Sequence, residues 1–355
     1  MLRGDKWEAH LWHNRILYTY VDDQGQRNRN TPRTEAFDVT AGMKIAILDD
    51  YQDVAMGFAD WGSLDAEVVV FTRPFADADE VVRRLAGFDV LVAMRERTAF
   101  PAEVLARLTD LRLLVSTGPV NAAIDVEAAR KLGITVCGTG YLSHPTAEHT
   151  WALILGAARN LVDEASSMRT GGWQVSVGTG LHGKTLGLLG LGRLGSRVAQ
   201  IGRAFGMTPI AWSQNLSADK AAEQGVRAVT KAQLFTESDV LSVHLVLSDR
   251  TRGLVGAADL RSMKPTAILV NTSRGPIIDE DALVETLREG RIDRAAIDVF
   301  DTEPLPAGHR LRSLPNALLT GHIGYVTREV YETFYQDAVE DIVAFRMGVP
   351  IRLMA

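Results

Sequence analysis

Three short stretches late in the chain carry side chains suited to moving protons and hydride. Residues 270–275 (VNTSRG) place Arg274 just past an apolar run, at the carboxyl end of a strand, where open α/β sheets bind ligands. An arginine there can fork onto a carboxylate, although a surface ion pair is the bland alternative. Residues 296–304 (AIDVFDTEP) put Asp298 at a strand end and Glu303 in a proline-bounded loop. Either acid alone would pass as an ordinary loop residue. Residues 319–324 (LTGHIG) bracket His322 with glycines after another strand. Such a histidine can act as acid or base, though alone it is more often structural. Together they form the set that interconversion of an alcohol and a ketone requires. The histidine exchanges the hydroxyl proton, a carboxylate on it stabilises the imidazolium, and the arginine fixes and polarises the substrate. The hydride has to come from a cofactor.

A site for that cofactor lies upstream. Residues 185–213 read TLGLLGLGRLGSRVAQIGRAFGMTPIAWS. The apolar run 186–189 is short enough for a buried strand, and Gly190-x-Gly192-x-x-Gly195 follows at once. Val198, Ile201, Ala204 and Phe205 then recur at helical spacing, Gly206 stops the helix, and 209–212 reads as the next strand. Strand, glycine turn, helix and strand form the context a dinucleotide fingerprint requires. Gly190 allows the tight turn, Gly192 lets a pyrophosphate approach the backbone, and Gly195 lets helix and strand pack closely. The free N–H groups and positive dipole end of the helix suit phosphates.

The elements that must position these residues follow in chain order. The 355 residues, 46% apolar and 23% charged, suit about two globular domains. A net charge of −6 gives no electrostatic reason to expect nucleic acid. No apolar run approaches the roughly 18 residues of a membrane span, and no apolar h-region of a secretory signal opens the chain. Cys137 is the lone cysteine, which excludes an intrachain disulfide and fits a reducing, cytoplasmic setting. His144, His149, His182 and His244 are scattered without ligand spacing, so no metal is expected.

Residues 1–42 stand apart. Residues 22–34 (DDQGQRNRNTPRT) are polar and aperiodic, which reads as disorder, and Trp7, Leu11, Trp12, Ile16 and Leu17 suggest a short amphipathic turn or two. Met43 is expected to be the natural start, or the start of the folded part, with a regulatory arm as the alternative. From there apolar runs at 44–48, 66–71, 90–93, 113–116 and 134–137 alternate with helical stretches at 79–85, 101–108 and 125–132, implying parallel βαβ units. A helix over 146–161, apolar around much of its surface, should be buried between domains. A glycine-containing loop over 171–183 leads into the fingerprint. Beyond it, strands are expected near 240–244, 267–271, 295–299 and 317–319, with helices at 231–235, 257–263 and 280–289. An amphipathic helix over 328–346 returns to the first domain.

With these residues in view, the chain resembles the D-isomer-specific 2-hydroxyacid dehydrogenases from Met43 to about Pro350. GKTLGLLGLGRLG, VNTSRGPIIDEDAL, AAIDVFDTEPLP and TGHIG occur in that family's order, with the glycine fingerprint mid-chain. The resemblance implies an α/β protein of two doubly wound parallel-sheet domains with the active site in the cleft between them. A flavodoxin-like substrate domain would comprise 43–142 and 322–355, and a Rossmann NAD(P)-binding domain 143–321. The implied reaction moves a hydride between nicotinamide and C2 of a small D-2-hydroxy or 2-keto acid. By matching position, His322 would be the acid/base, Glu303 would hold and tune it, and Arg274 would bind the substrate's carboxylate and carbonyl. Gly190, Gly192, Arg193, Leu194 and Gly195 would line the pyrophosphate, and Asp298 would contact the nicotinamide amide. Thr272 and His244 would complete the cofactor site. Arg95, Glu96 and Arg97 look like the first substrate loop. Thr117, Gly118, Pro119 and Val120 look like the second, whose backbone N–H groups would take the carboxylate.

Two departures lie in these loops. Glu96 stands where the family often has serine, and Pro119-Val120 where it often pairs glycine with alanine, so the identity of the acid is not carried over. The residue reading the cofactor ribose falls at Ser213, followed by Gln214 and Asn215. An aspartate there would repel a 2′-phosphate and an arginine would attract one; this neutral trio does neither, so use of both NAD and NADP is expected, with a lean to NAD. A homodimer is expected, with the apolar helix 146–161 supplying a burial surface. The rival reading is a non-catalytic NAD(H)-binding regulatory protein of the same fold.

Overall fold

The computed structural model describes residues 42–354, together with the backbone of two strands, β1 (Lys6–Trp12) and β2 (Arg15–Val21). These pair antiparallel, with Trp7 opposite Tyr20 and Leu11 opposite Ile16. The amphipathic turn expected over 7–17 is therefore corrected to a pair of strands. Trp, Tyr, Ile, Val and Thr crowd 12–21, a composition that prefers extended backbone whatever the apolar spacing. Residues 22–34, read as disordered, lie outside the described residues.

Beyond residue 42, strands alternate with helices in two parallel sheets. The first contains β3 (Lys44–Ile47), β4 (Glu67–Val70), β5 (Val90–Ala93), β6 (Leu113–Ser116) and β7 (Thr135–Gly138), in the order β4-β3-β5-β6-β7. This is the flavodoxin-like winding. All residues of β5 and β6 are buried, as in strands covered on both faces. Alternation sends Ile45, Ile47, Val92 and Val115 to one face and Ala46, Leu91 and Leu114 to the other. The second face is covered by local helices through Leu85, Val104, Leu105 and Ala129. The first is covered from far along the chain by the closing helix Arg328–Arg346, through Val330, Phe334, Tyr335, Ala338 and Ile342.

The second sheet contains β8 (Thr185–Leu189), β9 (Thr208–Trp212), β10 (Arg227–Ala228), β11 (Val240–Val243), β12 (Ile268–Asn271), β13 (Arg294–Ile297) and β14 (Ala317–Leu319). Its order, β10-β9-β8-β11-β12-β13-β14, is the Rossmann winding with one more strand at the edge. The winding reverses between β8 and β11, and the crevice beyond their carboxyl ends is where such sheets take ligands.

The long apolar helix is His144–Ala158, and its Trp151, Ile154 and Ala157 pack with Leu186, Leu188, Val198 and Val270. Its burial is thus met within the chain. It stops short of 161: Asn160 takes a left-handed conformation, φ 51°, and a separate helix, Leu161–Arg169, follows with none of its residues buried. Among the described residues no helix is long and apolar enough to cross a membrane.

Candidate active site

The glycine turn sits at the reversal point. Gly190 has φ +104°, and a Cβ there would lie 2.7 Å from the His244 carbonyl oxygen, so a side chain is excluded both by conformation and by space. His244 closes the neighbouring strand, its N–H donating to the Leu189 carbonyl at 2.8 Å and its ring pairing with Ser242 Oγ at 2.9 Å. Burial pushes its imidazole down to about 4, so the ring is neutral at working pH. Gly192 caps the helix Arg193–Ala204 without a side chain, and space is open where its Cβ would be. First-turn N–H groups, with Arg193 and Leu194 beside them, are left to a ligand, so the turn fits a dinucleotide pyrophosphate. At the end of β9, Ser213 begins a turn closed by the Leu216 N–H at 3.1 Å, with Gln214 and Asn215 exposed. Lys220 already lies on the helix Ala218–Glu223.

The acid/base pair is built by two loops. Nδ1 of His322 lies 2.6 Å from Glu303 Oε2, and Glu303 Oε1 accepts the Phe300 N–H at 2.9 Å. His322 has φ 54°, an uncommon conformation for a residue with a side chain. Asp298 keeps it there. Its carbonyl accepts the His322 N–H at 2.7 Å, and its carboxylate accepts from Thr320 Oγ1 at 2.6 Å and from the N–H groups of Ile323 and Gly324 at 2.9 and 3.0 Å. The carboxylate also lies 3.3 Å from His149 Nε2. Burial pushes this carboxyl up, but the bonds from His149 and Thr320 outweigh it and hold it below its usual range. The carboxylate thus anchors the histidine loop on both sides. In the sequence no ligand spacing marks His149. Its partners, Asp298 and Thr320, lie on loops far along the chain.

Arg274 is set by Asn271, which is buried and donates from Nδ2 to the Arg274 carbonyl at 3.0 Å while accepting the Ser273 N–H at 3.0 Å. Thr272, one residue on, turns inward and pairs with Thr150 Oγ1 at 2.8 Å. Gly275 then lets the two loops meet, since a Cβ there would fall 2.1 Å from the Phe300 carbonyl carbon. Arg274, Glu303 and His322 line one cleft of about 660 Å³ with Arg95, Glu96 and Arg97 from the first sheet.

The substrate loops hold surprises. Arg97 donates to the Asp49 carbonyl at 2.8 Å and stacks over Tyr51, 4.5 Å from the ring centre. Glu96 Oε1 accepts from Arg274 Nη2 at 3.0 Å, a contact between the two sheets' loops. The backbone N–H groups expected to take a carboxylate are already engaged: Thr117 donates to the Ala93 carbonyl at 2.9 Å and Gly118 to Thr139 Oγ1 at 2.7 Å. Pro119 has none to give. The expectation is narrowed: of residues 117–120, only the N–H of Val120 has no partner among the described residues.

The comparisons with known proteins point to one family. Residues 151–324 match the model of the D-isomer specific 2-hydroxyacid dehydrogenase NAD binding domain. The chain is 45% identical over 263 residues to a glyoxylate reductase of Aeropyrum pernix, covering 71% of this chain and 78% of that one. It is 33% identical over 313 residues to a D-3-phosphoglycerate dehydrogenase of Archaeoglobus fulgidus, covering 87% of this chain but 58% of that longer protein. The crystal structure of a phosphoglycerate oxidoreductase from Vibrio cholerae superposes with a TM-score of 0.82 at 41% identity, over 86% of this chain and 99% of that one. Fold, glycine turn and relatives converge: the chain belongs to the D-isomer specific 2-hydroxyacid dehydrogenases, NAD(P)-dependent oxidoreductases of small 2-hydroxy and 2-keto acids.

Proposed function

We propose that the chain reduces a small monocarboxylic 2-keto acid, of the size of glyoxylate or hydroxypyruvate, with His322 as proton donor. The observation that carries this reading is the His322–Glu303 pair at 2.6 Å, sharing a cleft with Arg274. Gly190, Gly192, Arg193, Leu194 and Gly195 would hold the pyrophosphate. Ser213, Gln214 and Asn215 would meet the ribose, and His244, Thr272 and Asp298 would border the nicotinamide. When bound, the cofactor supplies the hydride. Because Glu303 engages Nδ1, Nε2 is the nitrogen left to give its proton to the carbonyl oxygen, and the Glu303 carboxylate holds the ring in that orientation. Arg274 draws electron density from that carbonyl as negative charge develops. Oxidation of NADH and NADPH with glyoxylate, hydroxypyruvate and longer 2-keto acids tests the reading, and no turnover with any of them would overturn it.

The cytoplasm is the proposed location, on the buried thiol of Cys137. A homodimer is also proposed, on a different surface from the one the sequence suggested. The helix His144–Ala158 is satisfied inside the chain, whereas Trp173 is 73% and Val177 95% exposed beside the uncovered helix Leu161–Arg169. Light scattering at micromolar concentration checks it: the mass of a single chain would count against a dimer.

A further inference from the structure

We propose that Arg95 and Arg274 together form the clamp for the substrate carboxylate, and that Glu96 fills this clamp as a tethered competitor when no substrate is present. The proposal deepens the reductase reading and rests on it.

Glu96 Oε1 lies 3.0 Å from Arg274 Nη2 and 3.5 Å from Arg95 Nη2. One carboxylate oxygen therefore bridges two guanidinium groups that belong to different sheets. That is the position a substrate carboxylate would seek, beside the histidine and at the mouth of the glycine turn's sheet. Burial pushes the Glu96 carboxyl up, but Arg95 and Arg274 outweigh it and hold it below the ordinary carboxylate range, so the competitor is charged. Its second oxygen, Oε2, is buried without a hydrogen-bond partner. A buried acceptor left unpaired is costly, so the internal carboxylate satisfies the clamp incompletely. An incoming carboxylate that pairs through both oxygens replaces it favourably.

Arg95 is built into this place. Its backbone has φ 51°, its N–H donates to Thr117 Oγ1 at 2.8 Å, and Asn121 Nδ2 donates to its carbonyl at 2.7 Å. The guanidinium donates from Nη1 to the Thr117 carbonyl at 3.0 Å and lies on Gly118, where a Cβ would be 1.8 Å from Nη1. A glycine at 118 thus makes room for the arginine. The N–H groups of Thr117 and Gly118 are closed off and Pro119 lacks one, so Arg95 is the cationic donor that this loop seats in the cleft. Arg97 is no substitute, being bonded to the Asp49 carbonyl and stacked between Tyr51 and Tyr325.

The test is calorimetric titration of the full chain, loaded with NADH, with oxamate, alongside KM for glyoxylate. Glu96→Gln and Glu96→Ser should each tighten oxamate and lower KM by roughly fivefold or more, because the competent state is no longer shared with an internal ligand. Arg95→Gln should weaken both by about tenfold, and should do so equally in a Glu96→Gln background, as expected for loss of a charge-assisted bond. Unchanged or weaker oxamate binding in both Glu96 variants would remove the competitor; unchanged binding in Arg95→Gln would remove the clamp. If oxamate follows the expected pattern while no 2-keto acid is reduced, the clamp stands and the reductase reading falls. If keto acids are reduced and oxamate affinity ignores all three substitutions, the opposite holds.

Discussion

One proton is the currency of the site at the level of single residues, and its position is fixed by the bond between Nδ1 of His322 and Glu303. His322→Gln should reduce turnover by roughly 10² to 10⁴, the range for general acid–base catalysis, with cofactor affinity little changed. Arg274→Lys should also fail, since a point charge cannot reproduce a planar fork. Steady-state kinetics with cofactor titration check both, and a His322→Gln enzyme of near-normal turnover would remove the histidine from its role. Arg274, Glu303 and His322 were legible in the sequence because each follows an apolar strand, within one half of the chain. The Glu96–Arg274 contact was not, because it joins residues 178 positions apart whose types alone say nothing of pairing. The engaged N–H groups of Thr117 and Gly118 were hidden for the same reason: whether a loop donor is free depends on Ala93 and Thr139, not on the loop.

At the scale of elements, the apolar runs located most strands of both sheets, since a doubly covered parallel strand has no polar face to disguise it. The failures have local causes. Strand β10 has two residues, too few to register as a run. The helix over 146–161 breaks because Asn160 tolerates the left-handed conformation, a choice that apolar periodicity does not record. At 6–21, aromatic and β-branched content outweighed a spacing that mimicked a helix. The end of β9 carries the element-level prediction. Ser213 offers neither attraction nor repulsion to a 2′-phosphate, so both cofactors should be used. Ser213→Asp should shift preference toward NADH chiefly by weakening NADPH. The measurement is kcat/KM for each cofactor in both proteins. A parent that already prefers one by more than about a thousandfold, some 4 kcal/mol, would sink the neutral-pocket account.

For the whole molecule, the closing helix both covers the first sheet and carries a buried acid. Asp341 on it is fully buried, its Oδ1 accepting from Arg352 Nε at 3.0 Å and its Oδ2 without a partner. Burial raises its carboxyl from 3.8 to about 7, although Arg352 opposes the shift. Between those values the folded protein keeps a proton that the unfolded chain has lost. This group's contribution therefore falls as pH rises through that window, and the penalty is complete above it. Asp341→Asn should flatten that part of the pH dependence relative to the parent. Melting temperatures across pH 4 to 8, an interval of about four units spanning both forms, check this, and parallel curves would exclude Asp341 as the cause. The same helix has a consequence for biosynthesis. The five-stranded sheet leaves the ribosome before the seven-stranded one, yet the face bearing Ile45, Ile47, Val92 and Val115 waits for Val330 to Ile342 to cover it. The seven-stranded sheet, made from one continuous later stretch, needs no such wait. Translation of this protein should thus carry an exposed apolar surface from the completion of β7 at Gly138 until the helix Arg328–Arg346 emerges, a binding site for chaperones over that interval. Ribosomes stalled before Arg328 should display the early sheet as protease-sensitive while the later one already resists.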